Sequence, residues 1–169
     1  MNAPEDVVIV LAEDDPSHAR LIEKNLSAII TNPLVKFSNG KEALDYLRSE
    51  EQWSKQHLLL LDLNMPVMDG YQVLRHLKED PKTVLIPVIV LTTTDDPGEI
   101  ERCYDLGCNA YVVKSADYGQ FTEAMRRLGL FLTIARMPRE ASISPMAPTR
   151  FRVGLAVSKP IGWSAPVGK

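Results

Sequence analysis

The sequence predicts a three-layer α/β fold: a doubly wound (βα)5 unit whose five-stranded parallel sheet carries helices on both faces. Three observations lead to it. Short apolar runs alternate with helical patterns five times between residue 6 and about residue 133. The apolar runs are continuous rather than alternating, as strands buried on both faces must be. Helix starts and stops fall where the pattern needs them, at Asp-Pro, Asn-Gly and Asp-Gly pairs and at a late glycine.

The first strand is read over residues 7–11, Val-Val-Ile-Val-Leu. Asp15 then serves as N-cap and Pro16 as first residue of a helix whose apolar stripe is Leu21, Ile22, Leu26 and Ile29. Residues 34–38 form the second strand, and Asn39-Gly40 turns into a helix with Ala43, Leu44 and Leu47 inward. The third strand, residues 58–61, is four leucines; it ends at Asp62 and leads through Pro66 to the Asp69-Gly70 turn. Val73, Leu74 and Leu77 mark the next helix, which closes near Asp80-Pro81. Residues 88–91 are the fourth strand, running out into Thr92-Thr93-Thr94. Pro97 opens a helix that Gly107 caps. Residues 111–113 are the fifth strand, ended by Lys114, and a last helix over residues 118–133 offers Phe121, Met125, Leu128 and Leu132 for packing.

Composition removes several function classes. With 169 residues, 45% hydrophobic and 24% charged, the chain has the make-up of a folded globular domain and not of a disordered one. It holds no apolar run long enough to span a membrane, and its acidic start is unlike a secretory signal. Cys103 and Cys108 are too far apart for a CxxC pair and lack partners for a zinc cluster, so they read as free thiols. The net charge of −3 is uneven: residues 137–169 hold five Lys or Arg and one Glu, a charge of +4, which leaves −7 on residues 1–136. An acidic body is a poor electrostatic match to nucleic acid. The domain reading follows: residues 1–136 form the folded unit, and residues 137–169 a basic extension holding five of the twelve prolines. Within the extension, residues 151–157 alternate apolar and polar; they read either as flexible tail or as a strand added to a sheet edge, in the same chain or a neighbour.

In an open parallel sheet, ligands bind outside the carboxyl ends of the strands, at the switch in strand order. There the sequence places Glu13, Asp14 and Asp15 after the first strand, Asp62 and Asn64 after the third, Thr92 at the fourth and Lys114 at the fifth. Each alone has an ordinary explanation, as a helix cap or a solvated strand end. Together they are carboxylates that repel unless a cation joins them, a donor set of the kind Mg²⁺ takes, with a hydroxyl and an ammonium to meet phosphoryl oxygens. Such an edge suits a carboxylate that attacks phosphorus.

The motifs Glu13-Asp14-Asp15, Asp62-Leu63-Asn64-Met65-Pro66 through Asp69-Gly70, Thr92-Thr93 and Ala110-Tyr111-Val112-Val113-Lys114 resemble those of response regulator receiver domains, the CheY-like, flavodoxin-like fold of two-component phosphorelays. The resemblance implies that Asp62 is the phosphoacceptor, forming an aspartyl phosphate with phosphate from a histidine kinase. It implies Mg²⁺, with Mn²⁺ or Ca²⁺ able to substitute, on Asp14, Asp62 and the Asn64 backbone carbonyl, with Glu13 reaching the ion through water. Lys114 would pair with the phosphoryl oxygens; Thr92 and Tyr111 would form the switch, Tyr111 turning inward; Asn64 and Thr94 would tune the lifetime of the phosphoryl group. One position departs from the family: Ser115 stands where a proline usually follows the lysine. The run Lys114-Ser115-Ala116-Asp117 is similar to single-domain regulators that partner phytochrome-type kinases.

The expectation is therefore a cytoplasmic, single-domain response regulator, a phosphoacceptor with self-catalysed phosphorylation and dephosphorylation rather than an enzyme acting on other molecules. It binds no nucleic acid or membrane directly. The last helix is apolar almost all round, which predicts a homodimer through the fourth helix, fifth strand and fifth helix, the C-terminal arm, or both. A phosphohydrolase on a similar sheet would need an acid two residues after the nucleophile, where Asn64 stands. His18, His57 and His76 read as surface or helix residues.

Overall fold

Five strands lie parallel in the order β2-β1-β3-β4-β5: β1 (Val7–Ala12), β2 (Leu34–Phe37), β3 (Gln56–Leu61), β4 (Val88–Thr92) and β5 (Ala110–Val113). They alternate with α1 (Pro16–Ser27), α2 (Gly40–Arg48), α3 (Gly70–Glu79), α4 (Pro97–Asp105) and α5 (Tyr118–Ile134). This is the predicted fold. The computed structural model describes residues 7–135, so the extension 137–169 and its alternating stretch lie outside the described residues.

The period-two geometry of a strand divides the core in two. Val7, Ile9 and Leu11 of β1, with Leu58 and Leu60 of β3 and Ile89 and Leu91 of β4, face α1 and α5. Their neighbours Val10, Ala12, Leu59, Leu61, Val88 and Val90 face α2, α3 and α4. Both faces of each central strand are therefore buried, which is why these strands show no polar alternation.

Helix ends follow local chemistry. The Asp15 carboxylate accepts from the amides of Ser17 (2.7 Å) and His18 (3.2 Å), and Asn39 from Glu42 N at 2.9 Å. Asp69 and Gln72 form a reciprocal capping box at α3. At the end of α4, Gly107 has φ +101°; its amide donates to Tyr104 O and that of Cys108 to Cys103 O, both at 3.0 Å. This is a Schellman motif, and it needs the left-handed residue that glycine supplies.

Several details differ from the sequence reading. A 3-10 turn, Glu50–Gln52, precedes β3, and β3 starts two residues earlier than the leucine run. His57 is therefore a strand residue, buried, with Nε2 3.3 Å from Gln52 Oε1, and not a surface or helix residue. Burial depresses its pKa. Helix α5 is buried along one side, through Phe121, Met125, Leu128 and Leu132, while Leu130 and Ile134 are 46% and 73% exposed. No peptide bond among the described residues is cis, so Ser115 follows Lys114 through a trans bond.

Candidate functional site

Strand register assembles the acidic edge. Ala12 pairs with Leu61 in the sheet, and Asp62 N donates to Ala12 O at 3.0 Å, so the residues just beyond β1 and β3 emerge side by side. Thr92 pairs with Val113, and Lys114 N donates to Thr92 O at 2.6 Å, which brings the lysine to the same edge from β5. Strand order reverses between β1 and β3, so the acids sit at the switch point where such sheets bind ligands.

The side chains converge as the motifs predict. Glu13, Asp14 and Asp62 each offer a carboxylate oxygen, all within 4.8 Å of one another; Glu13 and Asp62 are buried and Asp14 is exposed. Lys114 is buried with them. Its ammonium is hydrogen-bonded to Glu13 Oε2 and lies 3.4 Å from Asp62 Oδ1. The other oxygen of Glu13 accepts from Asp15 N at 3.1 Å, and His18 Nδ1 stands 3.8 Å away from it. Burial, and then the Glu13 charge, push the Asp62 carboxyl up to about 6 against the pull of Lys114 and of the Asn64 amide.

Three formal negative charges thus face one positive charge. Hard carboxylate oxygens in that number, one of them open to solvent, are a fit for a small divalent cation with several waters of its own. A cavity of about 320 Å³ opens beside Glu13 and Asp14 on the side away from Asp62 and Lys114, between the start of α1, the end of β2 and the start of α2. Both Glu13 oxygens already have protein partners, which suits a residue that would reach an ion through water.

The remaining predicted residues are placed as follows. Thr92 is fully buried, and its hydroxyl has no protein partner. Asn64 is exposed at the mouth of the site, and Thr94 is half-buried, with Oγ1 accepting from Asp96 N at 3.3 Å. Tyr111 lies inward in this structure. It is buried in the core cluster on the α2, α3 and α4 side of the sheet, and its hydroxyl donates to Thr94 O at 3.0 Å. Burial holds its phenol well above the ordinary tyrosine range.

Sequence reasoning missed the supports of the loop after Asp62. Met68 N donates to Pro66 O at 2.8 Å, closing a γ-turn around Val67, whose φ is +69° and whose side chain is 80% exposed. This form of the γ-turn is rare and strained. Gly70 sits so close to the backbone of Asp62 that a Cβ there would lie 2.4 Å from Asp62 O. The Asp-Gly pair signalled a turn but not that contact. The direct Glu13–Lys114 pairing joins residues 101 apart in sequence, a link no local pattern carries.

Fold and site together define a phosphoacceptor-type pocket on a doubly wound sheet, and the family comparison names the class. Residues 9–126 match the response regulator receiver domain, and the chain belongs to that family. It is similar to the crystal structure of a response regulator receiver domain from Rhodospirillum rubrum, at 45% identity and a TM-score of 0.73, covering 78% of this chain and 96% of that one. Response regulator Rcp1 of Synechocystis is 35% identical over 64% of this chain and 76% of its own length. A structure of the Mn²⁺-bound form of response regulator Rcp1 matches with a TM-score of 0.71 at 31% identity, over 78% of this chain and 99% of that one. The phosphorylated cyanobacterial phytochrome response regulator RcpA matches at 36% identity and a TM-score of 0.70, over 78% of this chain and 98% of that one. Receiver domains are signalling phosphoacceptors that partner histidine kinases and bind divalent metal, and phytochrome-associated regulators are among this chain's relatives. No helix among the described residues is long and apolar enough to cross a membrane.

Proposed function

We propose that the protein is a cytoplasmic response regulator, with residues 1–136 as receiver and 137–169 as an extension, phosphorylated on Asp62 by a phytochrome-type histidine kinase. The observation that carries this reading is the placing of Asp62: a buried carboxylate at the switch point of the sheet, beside two further acids and one lysine. Asp62 attacks the phosphorus of the donor; a P–O bond forms to its carboxylate, and the bond to the leaving group breaks, its electron pair departing with that group. Asp14, Asp62 and the Asn64 carbonyl would hold Mg²⁺, or Mn²⁺ or Ca²⁺ in its place, with Glu13 acting through water. The ion supplies charge neutralisation at the phosphoryl oxygens. Lys114 is already fixed by Glu13 where it can meet those oxygens, and the Thr92 hydroxyl is free to donate to one. Tyr111, held to Thr94 O, would report the change to the surface as the switch partner of Thr92, while Asn64 and Thr94 control water access during self-dephosphorylation.

Output goes through protein contact. Leu130 and Ile134 are exposed one turn apart at the end of α5, and these apolar side chains support a homodimer through α4, β5 and α5, with or without the extension. The acidic body argues against direct nucleic-acid binding.

The test is intact-protein mass spectrometry after incubation with Mg²⁺ and phosphoramidate, wild type beside Asp62→Asn. A gain of one phosphoryl group in the wild type alone is expected. No gain in a folded, metal-binding wild type would refute the phosphoacceptor reading, and a gain in the variant would mean a different nucleophile.

A further inference from the structure

The first residue of α2, Gly40, is buried, and it has no left-handed φ to explain it. Glycine loses more conformational freedom on folding than any other residue, so one that is not required by backbone conformation calls for another reason. The reason here is space. A Cβ on Gly40 would lie 2.4 Å from Met68 O and 2.4 Å from Val73 Cγ2. The start of α2 therefore rests directly on the carbonyl that ends the strained γ-turn.

That turn belongs to the segment that begins at Asp62. Val67, a β-branched residue at φ +69°, persists only if its surroundings hold it there. The supports are identifiable. Met65 is buried in the core and anchors the segment there; Gly70 N donates to Leu63 O at 2.9 Å and folds the segment back on the Asp62 backbone; and α2 closes it from the side at Met68 O. The support at Met68 O comes from a separate element, α2. Asn64, whose amide donates to the Asp62 carboxylate, lies between the fixed strand end and the braced turn.

We propose that Gly40 is a positioning residue for metal binding and phosphoryl transfer: by presenting no side chain, it lets α2 brace the Met68 carbonyl and so fixes the loop that carries Asp62 and Asn64. The inference rests on the reading of Asp62 as phosphoacceptor. Groups that orient metal ligands typically change metal affinity by about tenfold to a hundredfold when altered, and a similar loss is expected here.

The test uses the full-length chain. Val73→Ala removes the methyl that a new Cβ would strike, so comparing Gly40→Ala/Val73→Ala with Val73→Ala isolates the contact on Met68 O. Mg²⁺ affinity is read by calorimetric titration, and the initial rate of phosphorylation by phosphoramidate is read on the folded protein. The expected result is a Kd for Mg²⁺ raised about tenfold and a rate lowered by a similar factor. A glycine that served packing alone would move the unfolding temperature and leave both quantities unchanged; that outcome overturns the proposal. Should the double variant not fold, Val67→Gly, which frees the braced turn without adding a side chain at position 40, is compared with the wild type. A weakened Mg²⁺ affinity is expected, and an affinity equal to that of the wild type again overturns the proposal. A wild type that binds Mg²⁺ but takes up no phosphoryl group would count against Asp62, not Gly40, whose effect on Mg²⁺ affinity is measured without a phosphodonor.

Discussion

Asp62→Asn should stabilise the metal-free protein. The Asp62 side chain is 8% exposed, and its carboxyl is pushed up to about 6 by burial and by Glu13. Between an unfolded value near 3.8 and about 6, the native state holds a proton that the unfolded chain has lost. Stability therefore falls as pH rises through this window: the contribution is fully present below about 4 and gone above about 6. A shift of roughly two units at 1.36 kcal/mol each sets the cost of the ionised carboxylate at about 3 kcal/mol at neutral pH. Asparagine keeps the shape without the charge, and Lys114 retains Glu13 as its closer partner. Allowing for hydrogen bonds the amide makes less well, a gain of about 2 kcal/mol is expected at pH 7.5. The assay is urea unfolding followed by far-ultraviolet circular dichroism, in EDTA, from pH 4.5 to 8. The advantage of the variant should shrink toward zero at the acid end. Mg²⁺ should stabilise the wild type more than the variant, because a cation bound only to the native state raises its stability by mass action. A variant less stable than wild type at pH 7.5, or a difference that does not vary with pH, would refute the electrostatic account of this site.

Two further outcomes follow from the structure. Gly107→Ala forces an L-residue to φ +101° and places a Cβ 3.1 Å from Lys78 Cγ; a loss of about 1–2 kcal/mol in urea unfolding is expected, and a neutral result would contradict the Schellman assignment. Burial, then Glu99, pushes the Cys103 thiol up to about 11, and burial, then Cys103, pushes Cys108 up to about 12. Neither should react with a disulfide reagent at pH 8 until urea unfolds the chain, after which both should; stoichiometric labelling of the native protein would show that the α4–β5 corner opens.

The fold was legible because its signals were local and agreed with one another. Asp15-Pro16, Asn39-Gly40 and Gly107 each mark a helix boundary by a mechanism that acts within a few residues, and the structure uses all three as caps or helix starts. The site residues were legible for a different reason: parallel strands deliver their C-terminal residues to one edge, so Glu13, Asp14, Asp62, Thr92 and Lys114 could be placed together without coordinates. What escaped were contacts between distant segments and conformations with no composition signal. His57 stands outside the leucine run yet pairs with Val8 in the sheet, so the strand is longer than its apolar core. Val67 at φ +69° contradicts the preference of a β-branched residue, and no propensity argument would place it there. Gly40 was read as a turn residue, but the structure gives it a steric role against Met68, 28 positions later.

The pairing of Lys114 with Glu13 bears on how the site would work. A lysine held only by Asp62 would lose its partner whenever that residue changed charge and would have to be placed again. Here the ammonium is anchored from the end of β1, and Asp62 stands 3.4 Å away as its second contact. The cation is thus fixed in a buried setting whatever Asp62 carries, and a fixed charge in a water-poor site stabilises developing negative charge without reorganisation. Asp62 is nevertheless raised toward neutral pH, by burial first and then by the Glu13 charge, against the pull of the lysine that the two acids share. Three carboxylates against one ammonium leave a formal deficit of two positive charges, the charge of one divalent cation. The buried Thr92 hydroxyl without a protein partner is a second unmet demand at the same edge, an acceptor oxygen being what it lacks. A divalent cation and a phosphoryl oxygen would answer these two demands, one of charge and one of hydrogen bonding.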